Sequence, residues 1–213
     1  MAPPPSFRKR PGTRTFVRVM HPIIAEAAAG RLPDWAQASP GRRDHMARVA
    51  EVMVGWGRRW GIEDDELRRW RAAAMLHDAL RDADPETLRP RVPPALRALP
   101  AGMLHGPATA ARLAEEDVHD ASLLMAVGWH TTGHPALDRL GRVLYLADYT
   151  EPGRSGGEDR LADLRARVPG EMEAVLLEVA AERIGRSLSG RHPLRESTVA
   201  FWNVLVGEGA ADG

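Results

Sequence analysis

The run Ala72-Ala73-Ala74-Met75-Leu76-His77-Asp78-Ala79-Leu80 sets an imidazole beside a carboxylate where a buried helical face calls for small hydrophobes. Left unpaired in a core, either group costs several kcal/mol. A divalent cation satisfies both at once, so the pair constrains the fold: other helices must bring nitrogen and oxygen ligands to the same place. The dipeptide alone has little weight, because 8 His and 14 Asp in 213 residues supply about one such pair by chance in every two chains. A second pair, His119-Asp120, follows the polar stretch Ala114-Glu115-Glu116-Asp117-Val118. It reads as a solvated histidine and an N-cap for the next helix.

Cysteine is absent, which excludes disulfides and thiolate ligands and leaves nitrogen and oxygen as the donors for any metal. The 29 acidic and 29 basic residues cancel, giving no support to a nucleic-acid partner. Lys9 is the only lysine, so the positive charge is carried by arginines, a bias that suits bidentate phosphate contacts and equally follows from a G+C-rich genome. No segment approaches the ~18 consecutive apolar residues of a membrane span. The start, Met1-Ala2-Pro3-Pro4-Pro5 with Arg8-Lys9-Arg10, lacks an apolar signal core. A cytoplasmic location with no membrane partner is therefore expected. Residues 1–20 read as a disordered, basic, Pro-rich tail, with phosphate or RNA contact as the competing reading.

Aromatics make up 5% of the chain and alternating β-branched runs are missing, whereas helical periodicity recurs. A short helix is expected over 23–29, ending near Gly30. Ser39-Pro40 reads as an N-cap and first-turn proline opening a helix to about Trp60, with His45, Val49, Val52, Trp56 and Trp60 on one stripe. The next helix spans about 65–80, with Leu67, Trp70, Ala74 and His77 on its buried face and Asp78 flanking them. A Pro-rich loop with a short helix occupies 89–100. Helices then follow over 106–116, with His105 at the mouth, and over 120–129, delivering His130 at the end. From Ala136 another helix places Leu137, Gly141, Leu144 and Asp148 at i, i+4, i+7 and i+11. Beyond the Gly-rich loop 152–157 come helices over 158–168 and 170–189, and a last one to about 206. With no internal repeat or boundary, the expectation is an all-α fold in which residues 21–208 form one helical-bundle domain.

Three helices thus point ionisable groups at their apolar sides: His45, His77 with Asp78, and Asp148. Two imidazoles and two carboxylates suit iron, manganese, zinc, nickel or magnesium, held between facing helices. His105 and His130, at helix ends, could bind a second ion or hold phosphate oxygens. His134 and His192 each precede a proline, and His134 reads as a surface residue.

The order His45 … His77-Asp78 … His105 … His130 … Asp148 resembles the HD superfamily of metal-dependent phosphohydrolases. Leu104-His105-Gly106-Pro107, His130-Thr131-Thr132-Gly133 and Leu144-Tyr145-Leu146-Ala147-Asp148-Tyr149-Thr150-Glu151-Pro152-Gly153-Arg154 are similar to its bacterial YqeK branch, the symmetrical diadenosine tetraphosphate hydrolases. The likeness covers about residues 42–198. It implies an HD-type bundle with His45, His77, Asp78 and Asp148 as ligands of one or two divalent ions. Iron is the expected metal, with manganese, nickel and zinc as alternatives. It further implies that His105, His130 and Arg154 meet nucleotide phosphates, that Arg42 contacts the nucleotide, and that Arg191-His192-Pro193-Leu194 closes over substrate. Asp78, His105 and His130 are the implied catalytic residues. Arg81 stands where the branch usually has a lysine, which keeps the charge and changes its shape and hydration.

The implied reaction is hydrolysis at an inner phosphorus of a dinucleoside polyphosphate, with two ADP as products and no nucleic acid involved. A homodimer is compatible with this reading. Two others compete with it: the same fold acting on a nucleoside monophosphate or a signalling nucleotide, and a non-catalytic HD-like binding module. Neither a G-x-S-x-G elbow nor a G-x-x-x-x-G-K-[ST] loop is present.

Overall fold

The computed structural model describes residues 20–154 and 157–211; apart from Met20, the expected N-terminal tail lies outside them. Among the described residues every regular element is helical. The α-helices are α1 (Pro22–Ala28), α2 (Pro40–Arg59), α3 (Asp64–Leu76), α4 (Pro85–Leu88), α5 (His105–Glu115), α6 (Ala121–Trp129), α7 (Arg139–Thr150), α8 (Glu158–Ser189) and α9 (Glu196–Ala211). Short 3₁₀ turns occupy Pro94–Leu96 and Ala101–Met103. The α7 helix lies at the centre, with α2, α3, α6 and α8 packed around it, α5 against α6, and α9 against α8. From Val143 to Thr150 every residue of α7 is buried. One apolar cluster runs from Ile24 to Leu205, and a smaller one (Leu80, Leu88, Val92 and Leu104 among its members) lies under the segment between α3 and α5.

Local chemistry sets the ends. Pro22 and Pro40 occupy first-turn positions, where a missing N–H costs nothing. Asp120 and Asp138 cap α6 and α7 by accepting from Leu123 N and Gly141 N, each at 3.1 Å. Asp120 also receives the Arg69 guanidinium, and His119 is exposed, as the sequence suggested for this second pair. Because Asp138 is the cap, α7 starts at Arg139 rather than Ala136, whose N–H donates instead to His134 Nδ1. Ser39 precedes α2 as expected, yet its side chain caps nothing; its backbone N–H donates to Asp82 Oδ2 at 2.8 Å.

The two helices expected over 158–168 and 170–189 follow one another as α8, separated by a kink at Glu171, which leaves the helical region. Pro169 has no N–H for the Arg165 carbonyl four residues earlier, and its ring crowds that carbonyl. The Trp56 indole of α2 supplies the missing donor at 3.1 Å, and Trp60 Nε1 donates to the Pro169 carbonyl at 2.9 Å. The kink is therefore bonded to α2, the helix that carries His45. Trp56→Phe keeps most of the apolar contact and orphans the Arg165 carbonyl, so it should cost about 1–3 kcal/mol in chemical denaturation. An unchanged midpoint would show that packing alone holds the kink.

Candidate metal centre

The α3 helix ends at Leu76, four residues short of the expected stop, because the chain tightens there. His77 N–H still reaches Ala73, but Ala79 N–H bonds Leu76 and Arg81 N–H bonds Asp78, three residues back. His77 and Asp78 thus sit at the helix end and in the turn after it. Backbone pairing fixes that turn: Gln37 N–H donates to the Ala79 carbonyl at 2.7 Å and Asp82 N–H to the Gln37 carbonyl at 3.1 Å. Together with the Ser39–Asp82 bond, this sets the start of α2, and so Arg42 and His45, in register with Asp78.

His45, His77 and Asp78 converge, each offering a ligand atom within 4.8 Å of the others. His45 Nε2 lies 3.8 Å from Asp78 Oδ2 and 3.3 Å from Asp148 Oδ1 without hydrogen-bond alignment. His77 Nε2 lies 3.6 Å from Asp78 Oδ2. Both Nε2 atoms are buried and have no hydrogen-bond partner. The outer nitrogens show why they point this way. His77 Nδ1 is 2.7 Å from the Ala74 carbonyl, which can only accept, so the proton is on Nδ1 and the Nε2 lone pair faces the cluster. His45 Nδ1 faces Glu151 Oε1 at 3.2 Å, the carboxylate–histidine arrangement that fixes a ligating imidazole. Orphaned lone pairs beside two carboxylates fit a divalent cation and fit poorly with a dry core.

Asp78 also belongs to a second group with His105 and His130. Its Oδ1 lies 3.0 Å from His105 Nε2 and 3.6 Å from His130 Nε2, and the two imidazole nitrogens are 3.1 Å apart. His130 Nδ1 donates to the Val127 carbonyl at 2.8 Å, leaving Nε2 as an acceptor toward His105 and the Thr131 hydroxyl. Gly106 makes the approach of α5 to α6 feasible. A Cβ there would stand 3.0–3.2 Å from the Val127 and Gly128 carbonyls and the His130 ring.

Charge dominates the enclosure. Burial disfavours a protonated His45, yet Asp148, Asp78 and Glu151 outweigh it and hold its pKa above the usual value, a local excess of negative charge. Burial pushes His77 down to about 4 against the pull of Asp78. It likewise lowers His105, with Asp78 opposing. Desolvation would raise Asp78 and Asp148, but the surrounding imidazoles, and Arg183 for Asp148, keep both well below the ordinary carboxylate range.

The other residues singled out in the sequence divide by position. Arg42 donates to Asp78 Oδ2 at 2.7 Å while its buried Nε has no partner. Arg154 donates to Asp148 Oδ1 at 3.2 Å. Arg81 forms no ion pair among the described residues, and its charge helps to depress the pKa of His105. His192 lines a cavity beside Thr131 and Arg183, whereas Arg191 is exposed, at φ 52°, and lies outside the cluster. His134 is partly exposed, as a surface residue should be; its Nδ1 accepts the Ala136 N–H and its ring lies 4.6 Å from that of Trp129.

Sequence reading missed Glu151, Arg48 and Arg183. Glu151 is buried, accepts from Arg48 Nε at 2.6 Å and from Gly153 N–H at 2.8 Å, and holds His45. It stands three residues after Asp148, a spacing that could have flagged it. Arg183 donates to Asp148 Oδ2 at 3.0 Å and to the Thr131 carbonyl at 2.8 Å, over the Tyr145 ring. On a helix rich in arginines, nothing local marks it.

With this geometry in view, comparison with known proteins is informative. The family model for the HD domain matches residues 42–153. A symmetrical bis(5'-nucleosyl)-tetraphosphatase of Staphylococcus aureus is 29% identical over 150 residues, covering 67% of this chain and 75% of that protein. Proteins of the same name from Halalkalibacterium halodurans and Bacillus subtilis are each 25% identical, covering 78% and 80% of this chain and 89% and 92% of their own lengths. The fold is similar to the crystal structure of a predicted HD superfamily hydrolase involved in NAD metabolism from Clostridium acetobutylicum. The TM-score is 0.69 at 22% identity, over 87% of this chain and 96% of that one.

The buried imidazoles give the metal-free protein a defined pH response. His77 stays neutral down to about 4, whereas an unfolded imidazole titrates near 6.5. Between those values the unfolded chain binds the extra proton, so the stability tied to a neutral His77 is complete above 6.5 and lost as pH falls toward 4. His45 is raised, so its contribution runs in the opposite sense, at higher pH. Unfolding midpoints measured with a chelator present should fall across the acidic window in the wild type and much less in His77→Gln. Parallel profiles would assign the acid response to other groups.

Proposed function

The chain belongs to the HD domain family, and on that premise we propose a metal-dependent phosphohydrolase that cleaves diadenosine tetraphosphate and related dinucleoside polyphosphates symmetrically, to two nucleoside diphosphates. The observation that carries the metal dependence is the pair of buried, unpartnered Nε2 atoms of His45 and His77 facing Asp78 and Asp148. The names of the bacterial relatives support the substrate class. The catalytic unit is the helical bundle of residues 21–208.

His45, His77, Asp78 and Asp148 would hold the ion, expected to be iron. A divalent cation there supplies Lewis acidity, polarising a phosphoryl oxygen and making water a competent nucleophile near neutral pH. The residues around it do the positioning. Arg42 and Arg154 each use one nitrogen on a ligand carboxylate, which holds their guanidinium groups at the site to meet substrate oxygens. Arg81 and the His105–His130 pair offer charge and hydrogen bonds on the other side of Asp78. Phosphoryl transfer asks mainly for such in-line placement and neutralisation of charge on the equatorial oxygens. Water oxygen bonds to an inner phosphorus, the central bridging P–O bond breaks, and ADP departs with the bridging oxygen. ADP is already a good leaving group, so proton donation by His105 or His130 assists rather than decides.

The shared position of Asp78 between two convergent groups favours a second reading of the centre, in which His105 and His130 hold a second ion. Metal-to-protein stoichiometry separates one ion from two.

Elemental analysis of the purified protein, paired with product analysis on diadenosine tetraphosphate, tests the proposal. The expected product is ADP alone, with His77→Ala and Asp78→Asn losing metal and at least about 100-fold in activity, beyond what loss of an outer-sphere partner costs. AMP plus ATP, or released orthophosphate, would overturn the substrate assignment. Full activity in metal-free wild type would overturn the metal dependence.

A further inference from the structure

Two adjoining cavities lie beside the metal centre, and Arg195 lines both. The inner one, about 240 Å³, is walled by Thr131, Arg183 and His192 among others. Thr131 Oγ1 is 3.0 Å from His130 Nε2 and Arg183 bonds Asp148, so this cavity begins one hydrogen bond from the ligand cluster. The outer one, about 460 Å³, is bounded by Leu96, Leu99 and Ala200 and by Trp129 and His134. The rings of Trp129 and His134 are 4.6 Å apart at 41°, too close to admit another ring between them, so they form one tilted aromatic wall. Arg195 makes no ion pair among the described residues, and its buried Nε has no hydrogen-bond partner.

Polarity thus changes along one path: carboxylates and imidazoles, then arginines and hydroxyls, then a recess of mainly apolar and aromatic walls with Arg195, Glu196 and Ser197 along one edge. A nucleoside diphosphate changes in the same order, from phosphate through sugar to a flat base. We propose that the outer cavity is a purine-nucleoside subsite: the base stacks on the exposed face of the Trp129–His134 wall, and Arg195 binds the phosphate and ribose oxygens that pass between the cavities. The proposal rests on the nucleotide-hydrolase reading above and adds the residues that select a nucleoside over a bare polyphosphate. The volume suits a base with its sugar. Aromatic stacking tolerates any flat base, so the wall distinguishes nucleosides from inorganic chains better than it distinguishes adenine from guanine.

Calorimetric titration of the full-length, metal-loaded protein with ADP, adenosine and inorganic tripolyphosphate tests the subsite. Trp129→Ala should weaken ADP and adenosine at least about 10-fold and change tripolyphosphate less than about 2-fold, with Trp129→Phe restoring most of the loss. Arg195→Gln should weaken ADP about 10-fold and adenosine much less. Should Trp129→Ala fail to fold, Ala200→Phe fills the same cavity from α9 and should give the same ADP-selective loss. Equal ADP and adenosine affinities in wild type and these variants overturn the subsite. A wild type that binds ADP in this Trp129-dependent way but leaves diadenosine tetraphosphate intact removes the hydrolase reading and keeps the subsite. Cleavage to two ADP with Trp129-independent binding does the reverse.

Discussion

Seven buried ionisable side chains, four imidazoles and the carboxylates of Asp78, Asp148 and Glu151, share the space enclosed by α2, α3, α5, α6 and α7. In a low-dielectric interior such a group is stable only if every lone pair and every proton has a counterpart. The outer nitrogens of three imidazoles meet this condition within the protein: Ala74 and Val127 carbonyls accept from His77 and His130, and Glu151 faces His45, whereas His105 Nδ1 is buried without a hydrogen-bond partner. The inner faces of His45 and His77 do not meet it. The imbalance is directional, since the unmatched atoms are acceptors crowded by carboxylates. A cation resolves it, and a water or another protein donor would leave the negative excess in place.

The scaffold around that point is unusually constrained for helices joined by loops. The turn after α3 is held by main-chain bonds to the segment before α2, so a shift of one residue on either side would separate Asp78 from both Arg42 and His45. Tryptophans at the other end of α2 occupy the carbonyls that Pro169 and the Glu171 kink leave open in α8. Since α8 also carries Arg183, the kink and the Asp148 carboxylate are linked through a single helix. Gly133, at φ +73°, packs directly on Phe201, which seats α9 against the His130–Thr132 turn. Two of the centre's partners, Arg183 and the α9 wall, are thereby delivered by the last quarter of the chain.

Much of this was legible in sequence because ligands must lie on apolar stripes. The 3.6-residue period placed His45 and Asp148 inward, and the family order joined them to His77-Asp78, His105 and His130. Boundaries failed where side chains compete with the backbone: Asp138 captured the start of α7, and the tightening after Leu76 moved His77-Asp78 from helix interior to helix end. Glu151, Arg48 and Arg183 escaped for a different reason. Each holds another buried group in place, and that relation crosses 103 residues between Arg48 and Glu151 and 35 between Arg183 and Asp148. Periodicity contains no term for it.

The arginines show how one residue type takes two roles. Arg142, Arg160 and Arg167 each reach at least two glutamates on partly exposed helix faces, pairs that contribute little singly and something as networks. Around the centre the pattern is inverted. Arg42 and Arg154 are anchored through one nitrogen, while Arg81 and Arg195 form no ion pair among the described residues. Leaving fixed guanidinium groups unmatched beside a cation-binding site raises the energy of the empty state, and an anion with several oxygens relieves it. Arg42 and Arg154 sit on the buried carboxylates of Asp78 and Asp148, whereas Arg195 stands in the walls of the two cavities beyond Thr131. Positive charge therefore meets anionic oxygens at more than one place between the cluster and the aromatic recess.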